Sequence, residues 1–140
     1  MDKQKVIKKL NEALERELNE VVRYLHQSFW VAGPGKAGLK KLCREQSRES
    51  MDHATRLGEK IVALGGDPVV KILEIYEPKR LGPEGMLKND LKHEREALEG
   101  YREMLPLVED DPDLKRMITQ LVREEGEHVG EIERTLKRKS

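Results

Sequence analysis

Arg123-Glu124-Glu125-Gly126-Glu127-His128 lies in a charged, helix-forming stretch near the end of a 140-residue chain. Around it, Leu114, Ile118 and Leu121, then Ile132 and Leu136, recur in steps of three and four. Those steps mark one face of an α-helix. Glu125 and His128 fill the two positions where that series calls for an apolar residue, so they point where Leu and Ile point. A bare carboxylate in a core is costly unless it is paired or bound to a metal. Glu-x-x-His on an inward face is a ligand arrangement for iron or manganese.

Working outward, the same pattern predicts three more helices. The first, about residues 2–32, has the inward stripe Leu10, Leu14, Glu17, Val21, Tyr24 and Ser28, with Glu17 as the polar intruder; Gly33-Pro34-Gly35 ends it. The second, about 36–64, reads Leu39, Leu42, Gln46, Ser50, His53, Leu57, Ile61 and Leu64, and stops at Gly65-Gly66-Asp67-Pro68. The third, about 84–108, reads Leu87, Leu91, Glu94, Leu98, Tyr101 and Leu105, with Pro106 disturbing its last turn. Asp110-Asp111-Pro112-Asp113 caps the fourth, about 112–138. Between the second and third, residues 65–83 carry Pro68, Pro78, Gly82 and Pro83. At up to about 3.3 Å per residue they are long enough to cross the length of a bundle. The expected fold is all-α: one domain over 1–140, a four-helix bundle of two antiparallel hairpins joined by a long crossover.

Lys plus Arg number 27 and Asp plus Glu 27, so the formal charge is zero. That balance argues against a general nucleic-acid binder. The one cysteine, Cys43, cannot form an internal disulfide, which fits a reducing compartment. No signal-peptide pattern or long apolar run is evident, so a soluble cytoplasmic protein with no membrane partner is expected.

The heights of the intruders agree. Glu17 and His53 flank Pro34 at similar distances, as Glu94 and His128 flank Asp111. At about 1.5 Å per helical residue, Glu17 meets Ser50 and His53, and Glu94 meets Glu125 and His128. The hairpins also form a pseudo-repeat, with Tyr24 and Tyr101 each seven residues after a buried Glu. Two hairpins of one plan suggest a pseudo-symmetric two-metal layer.

These motifs, Glu17 in ERELNEVVRYL, ESMDHA around His53, Glu94 in DLKHE and EEGEH ending at His128, resemble bacterioferritin and the wider ferritin-like di-iron family over nearly the whole chain. The resemblance implies a ferritin-like bundle with Glu17 and Glu94 as terminal carboxylates, His53 and His128 as imidazole ligands, and Glu125 as a bridging carboxylate. Tyr24 resembles the tyrosine that hydrogen-bonds a ligand and contributes to catalysis. Met51 matches the methionine that grips haem b across a two-fold dimer in bacterioferritins. The departure is Ser50, which stands where the family has its second bridging glutamate. Glu49 is the nearest substitute, a Gln46 amide oxygen or a water the next. Cys43, Ser47, Met51, Ala54 and Gly58 form a further stripe of small or apolar residues, suited to contact between subunits.

The implied function is oxidation of Fe(II) by dioxygen or hydrogen peroxide at a dinuclear site within the bundle, with iron storage; manganese or zinc suits the same ligands. A homodimer or larger homo-oligomer is expected, and with twelve residues after His128 the short fifth helix of the large ferritins is expected to be absent. One rival is a rubrerythrin-like di-iron peroxidase, disfavoured by Ala97 and by the absence of a Cys-x-x-Cys module. The other is a non-catalytic metal-binding bundle in which Ser50 marks a degraded centre.

Overall fold

The computed structural model describes residues 1–73 and 82–139. Four long helices account for most of them: α1 (Lys3–Trp30), α2 (Ala37–Ala63), α3 (Gly82–Met104) and α4 (Pro112–Lys139). Among the described residues there is no strand, and no helix is long and apolar enough to cross a membrane. Contacts divide the chain into two compact units, Leu10–Pro83, and Met1–Lys9 with Glu84–Ser140.

In the Leu10–Pro83 unit, α1 and α2 form an antiparallel hairpin. Gln27 faces Cys43 at 3.9 Å, the Ser47 hydroxyl donates to the Val21 carbonyl at 2.8 Å, and Glu17 faces His53 at 3.5 Å. Gly33 and Gly35 take positive φ in the turn, a region that costs glycine nothing. At the end of α2, the Gly66 N–H donates to the Ile61 carbonyl and the Gly65 N–H to the Val62 carbonyl. With Gly65 at φ 85, this is a Schellman cap.

The start of the crossover is tied to α1 by two asparagines. Asn11 donates to the Asp67 carbonyl at 3.1 Å and accepts the Val69 N–H at 2.8 Å. Asn19 donates to the Lys71 carbonyl at 3.1 Å and accepts the Leu73 N–H at 2.7 Å. Eight helical residues rise about 12 Å, and four extended residues span about 13 Å. The two asparagines therefore clamp the strap at matching intervals. The rest of the predicted 65–83 crossover, including Pro78, runs through residues 74–81, outside the described residues.

In the other unit, α3 and α4 lie against one another: Arg95 donates to Glu133 at 3.2 Å, and Glu94 faces His128 at 3.7 Å. Asp111 caps α4 by accepting the Leu114 N–H at 3.1 Å, with Pro112 at the first helical position. The third helix, expected to reach 108, ends instead at Met104 and tightens into a 3₁₀ turn over Leu105–Leu107. Pro106 has no N–H for the α ladder, and its ring crowds the preceding turn. The buried face of α3 is also turned from the predicted stripe. Met86, Leu87, Asp90, Glu94, Ala97, Leu98, Tyr101 and Met104 are buried, while Leu91 and Leu105 are only half-buried.

The stripe Cys43, Ser47, Met51, Ala54 and Gly58 is not the open face expected of it. Cys43, Ser47 and Ala54 are buried, the first two against α1, and Met51 alone is exposed.

The two clamps predict a local effect. Asn19→Ala removes both hydrogen bonds to the crossover, each worth about 1 kcal/mol net, along with one to the Glu15 carbonyl within α1. Hydrogen exchange should show the Leu73 amide losing about tenfold or more in protection, with Val69 spared; Asn11→Ala should reverse that pattern.

Candidate metal centre

The α3–α4 unit brings Glu94, Glu125 and His128 together, all buried. Glu125 and His128 are one turn apart on α4, and Glu94 comes from the facing side of α3. His128 Nδ1 lies 3.7 Å from Glu94 Oε2 and 3.8 Å from Glu125 Oε2. One ligand atom from each residue lies within 4.8 Å of the others. Burial alone lowers the imidazole pKa, but the Glu125 and Glu94 carboxylates close beside it outweigh that and raise the value from 6.5 to about 12. The imidazolium is the positive partner that lets two carboxylates stay buried. A divalent cation could replace its proton, and two carboxylate oxygens with an imidazole nitrogen form a donor set suited to iron, manganese or zinc.

The α1–α2 unit holds a smaller group. His53 is fully buried and Glu17 nearly so, with Nδ1 to Oε1 at 3.5 Å. The other ring nitrogen, Nε2, lies 3.9 Å from Oε1 of Glu49, whose side chain is 39% exposed. Ser50 and Gln46 are buried. The Gln46 amide oxygen accepts no hydrogen bond among the described residues, leaving a buried neutral donor one turn before Ser50. Tyr24 is buried, with the Arg23 guanidinium 5.1 Å from its ring centroid. Met51, by contrast, is 53% exposed.

One buried pair carries no signal in the sequence. Arg23 donates to Glu20 at 2.9 Å, and both are nearly fully buried. Glu and Arg three apart on a charged helix normally mark a solvated face, so spacing alone held no signal. Asp90 and Gln27, also buried, were hidden for the same reason.

Residues 7–139 match the family described as a ferritin-like domain. The chain belongs to the ferritin-like family. Among its ferritin-like relatives is the bacterioferritin of Rhodobacter capsulatus, 35% identical over 137 residues and covering 92% of this chain and 81% of that one. The bacterioferritin of Brucella melitensis is 32% identical over 136 residues, covering 94% and 83%. Solved structures agree. Rhodobacter capsulatus bacterioferritin, described with a metal-free dinuclear site and haem iron in a crystallographic special position, superposes with a TM-score of 0.84 at 33% identity, over 96% of this chain and 84% of that one. A ferritin-like di-iron-carboxylate protein from Bacillus anthracis reaches 0.90 at 25% identity, over 97% and 98%. The all-α, ferritin-like four-helix fold follows from these likenesses and the four helices.

The raised pKa of His128 sets a pH dependence for the metal-free ferritin-like chain. The folded value lies above the unfolded one, so the contribution to stability is complete below pH 6.5 and is lost as pH rises toward about 12. Denaturant titrations across that window should show wild type losing stability relative to His128→Gln as pH increases. Equal slopes would count against a protonated His128.

Proposed function

We propose that this protein binds and stores iron, oxidising Fe(II) at its buried carboxylate–imidazole groups with dioxygen or hydrogen peroxide as acceptor. The observation that carries this reading is the α3–α4 group, where three buried ligand atoms lie within 4.8 Å of one another. The bacterioferritin relatives support iron as the metal. Iron supplies the one-electron chemistry as substrate. The chain's residues do the rest: His128 gives up its proton so that Nδ1 can accept the cation, Glu94 and Glu125 balance its charge, and the apolar surround limits water.

Charge counting separates the two halves. Two Fe(II) ions call for four carboxylates, and Glu17, Glu94 and Glu125 supply three. The α3–α4 group has two carboxylates and an imidazole for one ion. The α1–α2 group has Glu17 and His53 for the other, with a hydroxyl at Ser50 where a carboxylate is due.

Anaerobic Fe(II) titration of the metal-free protein followed by air tests this reading. One tight iron per chain that disappears in Glu125→Ala, a second weaker iron lost in Glu17→Ala, and a ferric absorbance rise faster than in buffer are expected. Ser50→Glu should tighten the second site. No iron retained above the buffer control would refute the proposal. Retention without accelerated oxidation would favour the non-catalytic reading that Ser50 suggests.

The exposed thioether of Met51 supports a second role, that of axial ligand to haem b between two copies of the chain in a homo-oligomer. Reconstitution with haem should give a low-spin spectrum with about one haem per two chains. Met51→Leu should abolish it, and an unchanged spectrum would exclude Met51 as ligand.

A further inference from the structure

The loss of a carboxylate at Ser50 raises the question of what holds His53 in place. His53 makes two different approaches. Nδ1 faces Glu17, which is buried like the imidazole, at 3.5 Å, and Nε2 faces Glu49, which is part-exposed, at 3.9 Å. The two ring nitrogens point out of the imidazole in divergent directions. A carboxylate at Nε2 therefore cannot share an ion bound at Nδ1. The ligand groupings agree: Glu17 and Glu49 each fall in a group with His53, never in the same one. Glu49 is thus badly placed to replace the missing bridging carboxylate on the Glu17 side of the ring.

It is well placed for a different task. Which imidazole nitrogen takes a metal is decided by the hydrogen bond that the other makes. Carboxylates that accept the second N–H fix the tautomer and raise the basicity of the ligand nitrogen. We propose that Glu49 is a positioning residue that accepts the Nε2 proton of His53 and thereby turns the Nδ1 lone pair toward Glu17 as the ligand for a divalent cation. This rests on the metal-binding reading above. Glu49 and His53 are four residues apart on α2, where side chains meet. The Glu49 side chain is 39% exposed, and rotation about its torsions would bring the 3.9 Å separation to hydrogen-bond length. The same turn of the ring appears in the other unit, where the nitrogen facing Glu94 and Glu125 is also Nδ1. Glu49 returns to this half the negative charge that Ser50 lacks, from behind the ring rather than across the metal.

The test uses Co(II) as probe on the full-length metal-free protein, read by absorbance for stoichiometry and affinity and by proton NMR for hyperfine-shifted exchangeable imidazole N–H signals. The signal that vanishes in His53→Gln belongs to His53, and it should arise from Nε2–H. In Glu49→Ala it should broaden by exchange with water. Affinity for the ion lost in Glu17→Ala should fall about tenfold, while the number of ions stays unchanged. Glu49→Gln, whose amide oxygen can still accept the proton, should keep the signal. Loss of a whole ion in Glu49→Ala would make Glu49 a direct ligand and overturn the proposal. So would a Nδ1–H signal, or an exchange rate and affinity unaltered by the substitution. If wild type binds no cobalt, the metal-binding reading itself fails, an outcome distinct from those in which cobalt binds and Glu49 proves irrelevant.

Discussion

A carboxylate on the core face of a helix must be given a positive partner, and the candidate centre is built on that requirement. Glu94 and Glu125 lie on faces otherwise lined by Leu87, Leu98, Leu121 and Ile132. Left bare they would destabilise the α3–α4 unit, since breaking a buried pair costs on the order of 3–5 kcal/mol. In the metal-free chain His128 supplies the compensation by holding a proton that burial alone would strip away. On the proposed reading, a divalent cation would supply the same compensation in another form. The feature that makes the metal-free fold tolerable is therefore the one that makes it receptive. Proton and metal would then compete for one buried negative site.

That exchange works only if the polar residues reach the same height, and the turns see to it. The tight Gly33–Gly35 turn sets Gln27 against Cys43, Val21 against Ser47 and Glu17 against His53, a ladder that puts the buried acid opposite the buried imidazole. The Schellman cap at Gly65 stops α2 cleanly, so the chain leaves in extended form. Asn11 and Asn19 then guide it along α1 through paired amide contacts. Asp111 fixes the start of α4, and with it the heights of Glu125 and His128 on that helix. None of these devices touches the ligands, yet a one-residue slip in any helix would rotate an acid by 100°.

Much of this was legible because periodicity is a strong signal and violations of it are rare. Glu17, His53, Glu94, Glu125 and His128 stood out as polar residues at apolar positions, and all five are buried. Helix positions were readable because glycine, proline and aspartate punctuate the chain. Three things were not readable. The buried face of α3 is wider than a single stripe, so Met86, Asp90 and Met104 replaced Leu91 and Leu105 as its deepest members. The Glu20–Arg23 pair is indistinguishable in sequence from a solvated ion pair, because its burial depends on packing and not on spacing. The small-residue stripe on α2 failed for a related reason: small side chains suit contact with any helix, and α1 claimed Cys43 and Ser47.

The two hairpins repeat one plan with unequal means. One sets two carboxylates against an imidazole; the other sets one, with a serine hydroxyl in place of the second. A hydroxyl carries no charge at neutral pH and is a poor ligand unless deprotonated, so Ser50 cannot restore the balance. The nearby compensations are of different kinds. Gln46 offers a neutral oxygen, and Glu49 a charge at the rear of the imidazole. A neutral donor fills a coordination position without stabilising the higher oxidation state. A carboxylate behind the imidazole strengthens the nitrogen donor without occupying a position. On the proposed reading that division has two consequences: a second metal position would stay open on one side, and its affinity would depend on a residue that does not touch the metal.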